Sequence, residues 1–182
     1  MSARVVATHV WPSDIDEPVS VDVLELDWGG PVGDRHHGER MASDTRQSSV
    51  FTRGTSIRNH RQVSIVDTGE LAQIAAAMGI LRIDPGVIAD NICTEGIDAL
   101  TALPRMTRLV FASGAVIMLG GPNAPCTIAG GMLERVYGSR PESFPKAAWG
   151  LRGVTGWMEH PGTVRRLQDE LSEWRDSILK SR

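Results

Sequence analysis

The sequence predicts a mainly β protein: a β-barrel with a few packed helices rather than a doubly wound α/β sheet. Three observations predict it. Apolar segments with the twofold alternation of strands outnumber those with helical spacing, the strands are short, and most neighbouring strands read as antiparallel. No GxGxxG or GxxxxGK[ST] run is present, so no nucleotide-binding loop of those kinds is expected. With 182 residues, 41% hydrophobic and 23% charged, the chain is one globular domain of ordinary size. Such a domain needs neither disulfides nor a structural metal to bury a stable core.

Residues 5–10 and 19–28 read as the first strands, both rich in Val, Leu and Trp. In the second, apolar positions run Val19, Val21, Val23 and then Leu24, Leu26, Trp28, a change of phase that predicts a bulge. Residues 29–62 form a glycine- and arginine-rich segment with little periodicity. A loop of that length is functional or mobile, and 39–60 reads as mobile. A short strand over 62–66 leads into "DTGELAQIAAAMG". Asp67 is the expected N-cap, Glu70 stands at the capping-box position, Leu71, Ile74, Ala75 and Met78 share one face, and Gly79 ends the helix. Residues 84–98 read as a turn, then a short helix or a second turn, and then a strand. Residues 108–112 and 115–119 flank Ser113-Gly114 as an apolar hairpin. After Cys126, the spacing of Ile128, Met132, Leu133 and Val136 predicts a helix. Residues 150–158 and 162–164 read as a last pair of strands. Residues 165–180 carry Leu167, Leu171, Trp174 and Ile178 on one stripe, which predicts an appended amphipathic helix. The expected organisation is a β domain over 1–164 with a helix over 165–182 packed on it. That stripe either covers the barrel's open edge or mediates a dimer.

Composition narrows function. No segment approaches the ~18 apolar residues of a membrane span, and the N-terminal stretch lacks a signal-peptide core, so a cytoplasmic protein off the membrane is expected. The net charge of −3 does not favour nucleic acid. Of 19 basic residues only Lys146 and Lys180 are lysines. Arginine binds oxyanions bidentately, whereas a pyridoxal phosphate enzyme needs a lysine for its Schiff base, so that cofactor is not expected. Two cysteines without CxxC spacing make neither a disulfide framework nor a zinc ribbon.

Three stretches carry candidate chemistry. "GGPVGDRHHGER" places Asp34, Arg35, His36 and His37 between glycines, where imidazole can move a proton or bind a metal, and where a solvated polar turn is the plainer reading. In "DNICTEGID", Asn91 and Thr94 can fix a ligand or satisfy a turn, and Cys93 reads as a small buried hydrophobe. "GGPNAPCTIAGG" places Cys126 in a Gly/Pro turn just before a helix. Unpaired N–H groups and the positive end of the helix dipole favour thiolate there, and the glycines would let a ligand approach closely. A thiolate attacks sulfur or carbonyl groups, or binds a soft metal.

In this order, "GDRHHG", "RQVSIVD", "DNICTEGID", "APC" and "LRGVTGWMEHPGTV" resemble the MOSC domain, named for the C-terminal domain of molybdenum-cofactor sulfurases. The resemblance covers about residues 5–164. It implies a β-barrel-like domain that binds the molybdenum cofactor (molybdopterin) or handles sulfur. It points to Cys126 as sulfur carrier or molybdenum ligand, and to Asp34, His36, His37, Asn91 and Thr94 as pocket residues. Arg61 and Arg152, inside matched segments, are the expected partners of the cofactor's phosphate. Two departures stand out: "GPNAPC" has Asn123 where the family often has an arginine, and the usual ending is replaced by "VRRLQDEL". Three readings follow. The chain binds the cofactor through Cys126 and reduces small N-hydroxylated compounds with electrons from a partner protein. Alternatively it carries persulfide from a sulfur-donor enzyme, or it is a non-catalytic binding module with a structural cysteine. It is accordingly an oxidoreductase, a sulfur transferase or neither, and a monomer or a homodimer.

Overall fold

The computed structural model describes residues 3–166 and 170–174. Its strands are β1 (Ala3–Val10), β2 (Val19–Ser20), β3 (Val23–Asp27), β4 (Gly30–Pro31), β5 (Arg40–Ala42), β6 (Ser56–Arg58), β7 (Val63–Asp67), β8 (Ile92–Glu95), β9 (Arg108–Phe111), β10 (Val116–Pro122), β11 (Val154–His160), β12 (Gly162–Arg165) and β13 (Glu170–Trp174). Three α-helices are interspersed: α1 (Thr68–Met78), α2 (Thr127–Tyr137) and α3 (Phe144–Ala147). The expected mainly β architecture with few helices is what forms.

The largest sheet runs β13-β9-β10-β11-β7-β8-β1-β2, and β1 also pairs with β13. All its neighbours are antiparallel except β7 and β8, which α1 connects. A parallel pair needs such a crossover, and "DTGELAQIAAAMG" supplies one. Alternation on these strands buries one face: Val5, Ile65, Leu109, Phe111, Ile117 and Leu119 lie in one cluster. The opposite face, through Val66 and Cys93, packs against Leu71, Ile74, Leu133 and Phe144 of the helices in a second cluster. Cys93 is fully buried, and burial pushes its thiol well up from the ordinary value, as a structural cysteine requires.

Four expectations need correction. The phase change in 19–28 is a break between sheets: β2 pairs with β1, whereas β3 pairs with β12 and β4. Thr8 ties the crossing point down, its carbonyl accepting from Val21 N at 2.9 Å and its hydroxyl donating to Val21 O at 2.5 Å. Residues 39–60 hold an ordered hairpin, β5 and β6, joined through a short 3₁₀ turn that Asp44 and Gln47 close as a capping box.

Glu70 makes no capping box on α1. Asp67 caps that helix through Gly69 N at 2.9 Å, while the Glu70 carboxylate is buried and accepts from Thr101 N and Oγ1 at 2.8 and 2.7 Å. Finally, the appended helix expected over 165–180 is replaced at 170–174 by β13, paired with β9 and β1. Two open strand edges outweigh the helical spacing of Leu171 and Trp174, because pairing satisfies both rows of backbone groups. The remainder of that stretch, 167–169 and 175–182, lies outside the described residues.

Candidate functional site

A cavity of about 480 Å³ opens at the end of the sheet covered by α2. Its wall is assembled from segments far apart in sequence: the end of β1, the 33–38 turn, the β5–β6 hairpin, the start of β7, the 88–91 turn and the β10–α2 junction.

Cys126 is the N-cap of α2, with extended backbone (φ −137°, ψ 163°); its carbonyl accepts from Gly130 N and its side chain makes no capping bond. The sulfur is half-buried and lines the cavity. Gly121 and Gly130 beside it serve packing rather than the approach of a ligand. A Cβ at Gly130 would lie 2.2 Å from Pro141 O, and one at Gly121 would meet the Arg105 guanidinium at 2.9 Å.

Two guanidinium groups share this wall. Arg152 is buried; its Nη2 donates to Ile88 O, and its Nη1 is buried with no partner. Burial lowers its pKa, opposed by Asp90 and by the charge of Cys126. Arg61 donates from Nη2 to Asn123 Oδ1 at 2.9 Å. Its pKa falls to about 10, chiefly through burial and the neighbouring Arg46, with Asp44 and Cys126 opposing. A buried cation with a free donor, Arg152, beside the half-buried Arg61 makes an anion-binding wall: an arriving oxyanion replaces the lost hydration and supplies the acceptor that Arg152 Nη1 lacks. Asn123, which stands where an arginine was looked for, serves the charge at one remove by fixing Arg61. Its Nδ2 continues to Ser64 Oγ at 3.2 Å.

The opposite wall is organised by Asp34. The carboxylate lies behind the cavity surface, 6% exposed, and accepts from Trp11 N, His36 N and Asn91 Nδ2, each at 2.8 Å, and from His36 Nδ1 at 3.1 Å. Burial pushes its pKa up, but these donors outweigh it and the net shift is downward. His36 is thereby oriented with Nδ1 on Asp34. His37 turns the other way, its Nε2 2.7 Å from Asp27 Oδ1. Both histidines line the cavity.

Of the residues singled out from sequence, Cys126, His36, His37, Arg61, Asn91 and Arg152 line this one cavity. Asp34 supports it from behind. Thr94 does not belong: its hydroxyl donates to Val66 O and Asp67 Oδ2, and it holds the β7–β8 connection instead. Sequence reasoning missed Trp11, Met41, Arg46, Ser64 and Asn123. Trp11 at a strand end before Pro12 was the most readable of these, since an aromatic there has no core of its own to fill. Among the described residues no three His, Cys, Asp or Glu side chains are grouped to hold a metal ion.

The MOSC domain family model matches residues 34–171. The chain is 37% identical over 167 residues to YuaD of Bacillus subtilis (strain 168), a protein named for a proposed part in metal-sulfur cluster biosynthesis, covering 90% of this chain and 86% of that one. The crystal structure of Bacillus subtilis YuaD superposes with a TM-score of 0.87 at 33% identity, over 94% of each chain. YiiM from Geobacillus stearothermophilus shares the fold at 12% identity and a TM-score of 0.66, over 97% of this chain and 77% of that one.

Proposed function

The chain belongs to the MOSC domain family, and from that premise we propose that its cavity holds the molybdenum cofactor, with the Cys126 thiolate as a ligand to the metal. The observation that carries this reading is the pairing on one wall of a half-buried cysteine with the partnerless Nη1 of buried Arg152. A soft sulfur donor suits molybdenum, and a desolvated guanidinium suits a phosphate. The sparse donor set fits too, since this cofactor brings its own sulfur ligands to the metal and asks one side chain of the protein. Arg152 and Arg61 would hold the phosphate, with Asn123 fixing Arg61. The same reading treats the large sheet as a barrel, with β1 joining β8 to β13, and the protein as cytoplasmic; among the described residues no helix is long and apolar enough to cross a membrane.

Bound there, the cofactor would supply two-electron chemistry for removing oxygen from small N-hydroxylated compounds. The overall change consumes two electrons and two protons and yields the amine-type product and water, with the electrons delivered by a partner protein. The chain's own contribution is to bind and orient. Asp34 fixes the His36 ring through Nδ1 and leaves Nε2 free to contact a ligand beside the cavity. The hairpin β5–β6 and the turn that joins its strands add Met41 and Arg46 to the cavity wall.

The name of the Bacillus relative favours a second reading, in which Cys126 carries sulfur as a persulfide received from a donor enzyme. The deciding measurement is molybdenum per chain in protein made in cells with intact cofactor synthesis, wild type beside Cys126→Ala. Near-stoichiometric metal, lost in the variant, is expected. No metal in either protein overturns the ligation and leaves the sulfur carrier.

A further inference from the structure

The mouth of the Cys126 cavity carries a charge opposite to that of the molecule as a whole. Among the residues that line it, five are arginines, Arg35, Arg40, Arg46, Arg61 and Arg152, and one is a carboxylate, Asp44. The stretch 33–61, which supplies four of those arginines, holds six arginines and three acidic residues. The remainder of the chain holds 13 basic and 19 acidic residues. The patch is therefore a local feature and not a reflection of composition.

The inner and outer arginines differ in what they meet. Arg152 and Arg61 lie inside, and Arg46 is paired with Asp44 at 2.5 Å. Arg35 and Arg40 are exposed, and their guanidinium groups meet only neutral partners. Arg35 donates to Pro12 O and Ile15 O at 2.9 and 2.8 Å and stacks 3.7 Å over the Trp11 ring. Arg40 donates to Ser56 Oγ and O at 2.9 and 2.8 Å. Those contacts hold the side chains in place and leave their charges uncompensated. Arg53, exposed in the loop between β5 and β6, pairs with no described residue. Apolar side chains stand among these charges. Val50 and Phe51, 73% and 40% exposed, follow Arg46 closely, both amides donating to Gln47 O at 2.9 Å. Ile128, 73% exposed, lines the cavity two residues beyond Cys126. The hairpin buries none of its strand residues, so the core makes no use of the side chains at its tip.

We infer that this rim is the docking surface for an acidic face of the electron-donor protein. The inference rests on the reading that the cavity holds a redox cofactor, since a cofactor there draws its electrons through this mouth. With the cofactor's phosphate on Arg61 and Arg152, the charges of Arg35, Arg40 and Arg53 remain for the partner. Arginine and aromatic side chains exposed together are what protein interfaces are enriched in, and complementary charge steers the encounter. Electron-transfer contacts are small, on the scale of a hairpin tip and a cavity rim. Nucleic acid, the other polyanion such charges could meet, is less favoured, because aliphatic Val50 and Ile128 offer a base no stacking platform.

The test titrates ¹⁵N-labelled full-length chain with oxidised flavodoxin, a small acidic electron carrier, and in parallel with an oligouridylate, at about 50 and about 300 mM salt. Amide shifts at Arg35, Arg40, Phe51, Arg53 and Ile128 are expected with flavodoxin, and the affinity should fall about fivefold at the higher salt. Phe51→Asp and Arg53→Glu, both outside the cavity wall, should each weaken binding about threefold and together about tenfold. Molybdenum content of the same variants made in cofactor-competent cells should stay at the wild-type level. Absence of shifts, shifts elsewhere on the surface, unchanged affinity in the double variant, or tighter binding of the oligouridylate at these residues would overturn the inference. Should that happen in a chain that holds molybdenum, the cofactor reading survives it. If the wild type holds no molybdenum yet binds flavodoxin through this rim, the cofactor reading fails and the docking surface stands on its own.

Discussion

Replacing Asp34 with alanine should cost far more than an ordinary surface substitution, and the loss can be worked from its partners. Three donors reach the carboxylate at 2.8 Å and a fourth at 3.1 Å. Hydrogen bonds to a charged group contribute about 1.5–3 kcal/mol each. A full sum overstates the effect, because water enters the vacated space and satisfies part of the set. About 3–5 kcal/mol is expected, which is large among single substitutions. With a urea slope of about 2 kcal/mol/M for a domain of this size, the unfolding midpoint should fall by about 2 M with the slope unchanged. Asp34→Asn, which keeps the shape and one acceptor, should lose about half as much. The pH dependence is a second check. The folded-state pKa lies below the ordinary 3.8, so the stabilisation is complete above that value and drains away as pH falls through the folded-state pKa. The gap between wild type and Asp34→Asn should thus close in acid. A loss below about 1 kcal/mol for Asp34→Ala, or a gap unchanged between pH 7 and pH 3, would refute this account of the wall.

Glu70 runs the opposite way: burial raises its pKa above the ordinary 4.5, so its contribution favours folding in acid and is lost as pH rises through the folded-state value. Glu70→Gln should cost under about 1 kcal/mol at pH 7 and gain on wild type in urea melts as pH goes from 4 to 8, whereas Glu70→Ala, leaving Thr101 N unpaired, should lose about 2 kcal/mol. Gly153 has φ +77°, and a Cβ there would stand 2.0 Å from Ile65 O; Gly153→Ala should lose more than about 3 kcal/mol and appear mainly in the insoluble fraction on expression. Inorganic phosphate should stabilise the cofactor-free chain, by about 1.4 kcal/mol at ten times its dissociation constant, and thermal melts of Arg152→Gln should show that increment gone.

Legibility followed the range of the forces involved. The α1 helix, the β9–β10 hairpin and the helix after Cys126 were readable because their signals are local: a cap, a Ser-Gly turn, a 3.6-residue spacing. The hairpin loop has three residues, 112–114, rather than two, since Phe111 faces Ala115. The spacing after Cys126 was right about the helix but not about its face, since Ile128 and Val136 point outward while Ala129 and Gly130 are buried. The β5–β6 hairpin was not readable, as no residue in its strands is buried to impose an alternation. β13 was misread because its partners lie some 60 and 170 residues away, and pairing at that distance leaves no mark on local spacing. In the site, residues that carry charge or sulfur announced themselves by type. Those that hold them, such as Asn123, Ser64 and the tie from Asn91 to Asp34, are polar residues whose role exists only once the chain has closed on itself.

The register of β1 against β13 has a consequence for how the protein is made. Ala3 pairs with Leu171 and Arg4 with Glu170, so one flank of the earliest strand waits for one of the latest. At synthesis rates of roughly 5–20 residues per second, that interval spans about ten to thirty seconds, during which β1 gains β2 at His9 and Val10 and later β8 along one side, while its flank at Ala3 and Arg4 stays open. That seam of the sheet is therefore among the last to close as the chain is made. Contacts of such separation slow folding, and a truncation before residue 170 exposes the same edge permanently, in a form suited to pairing with another copy.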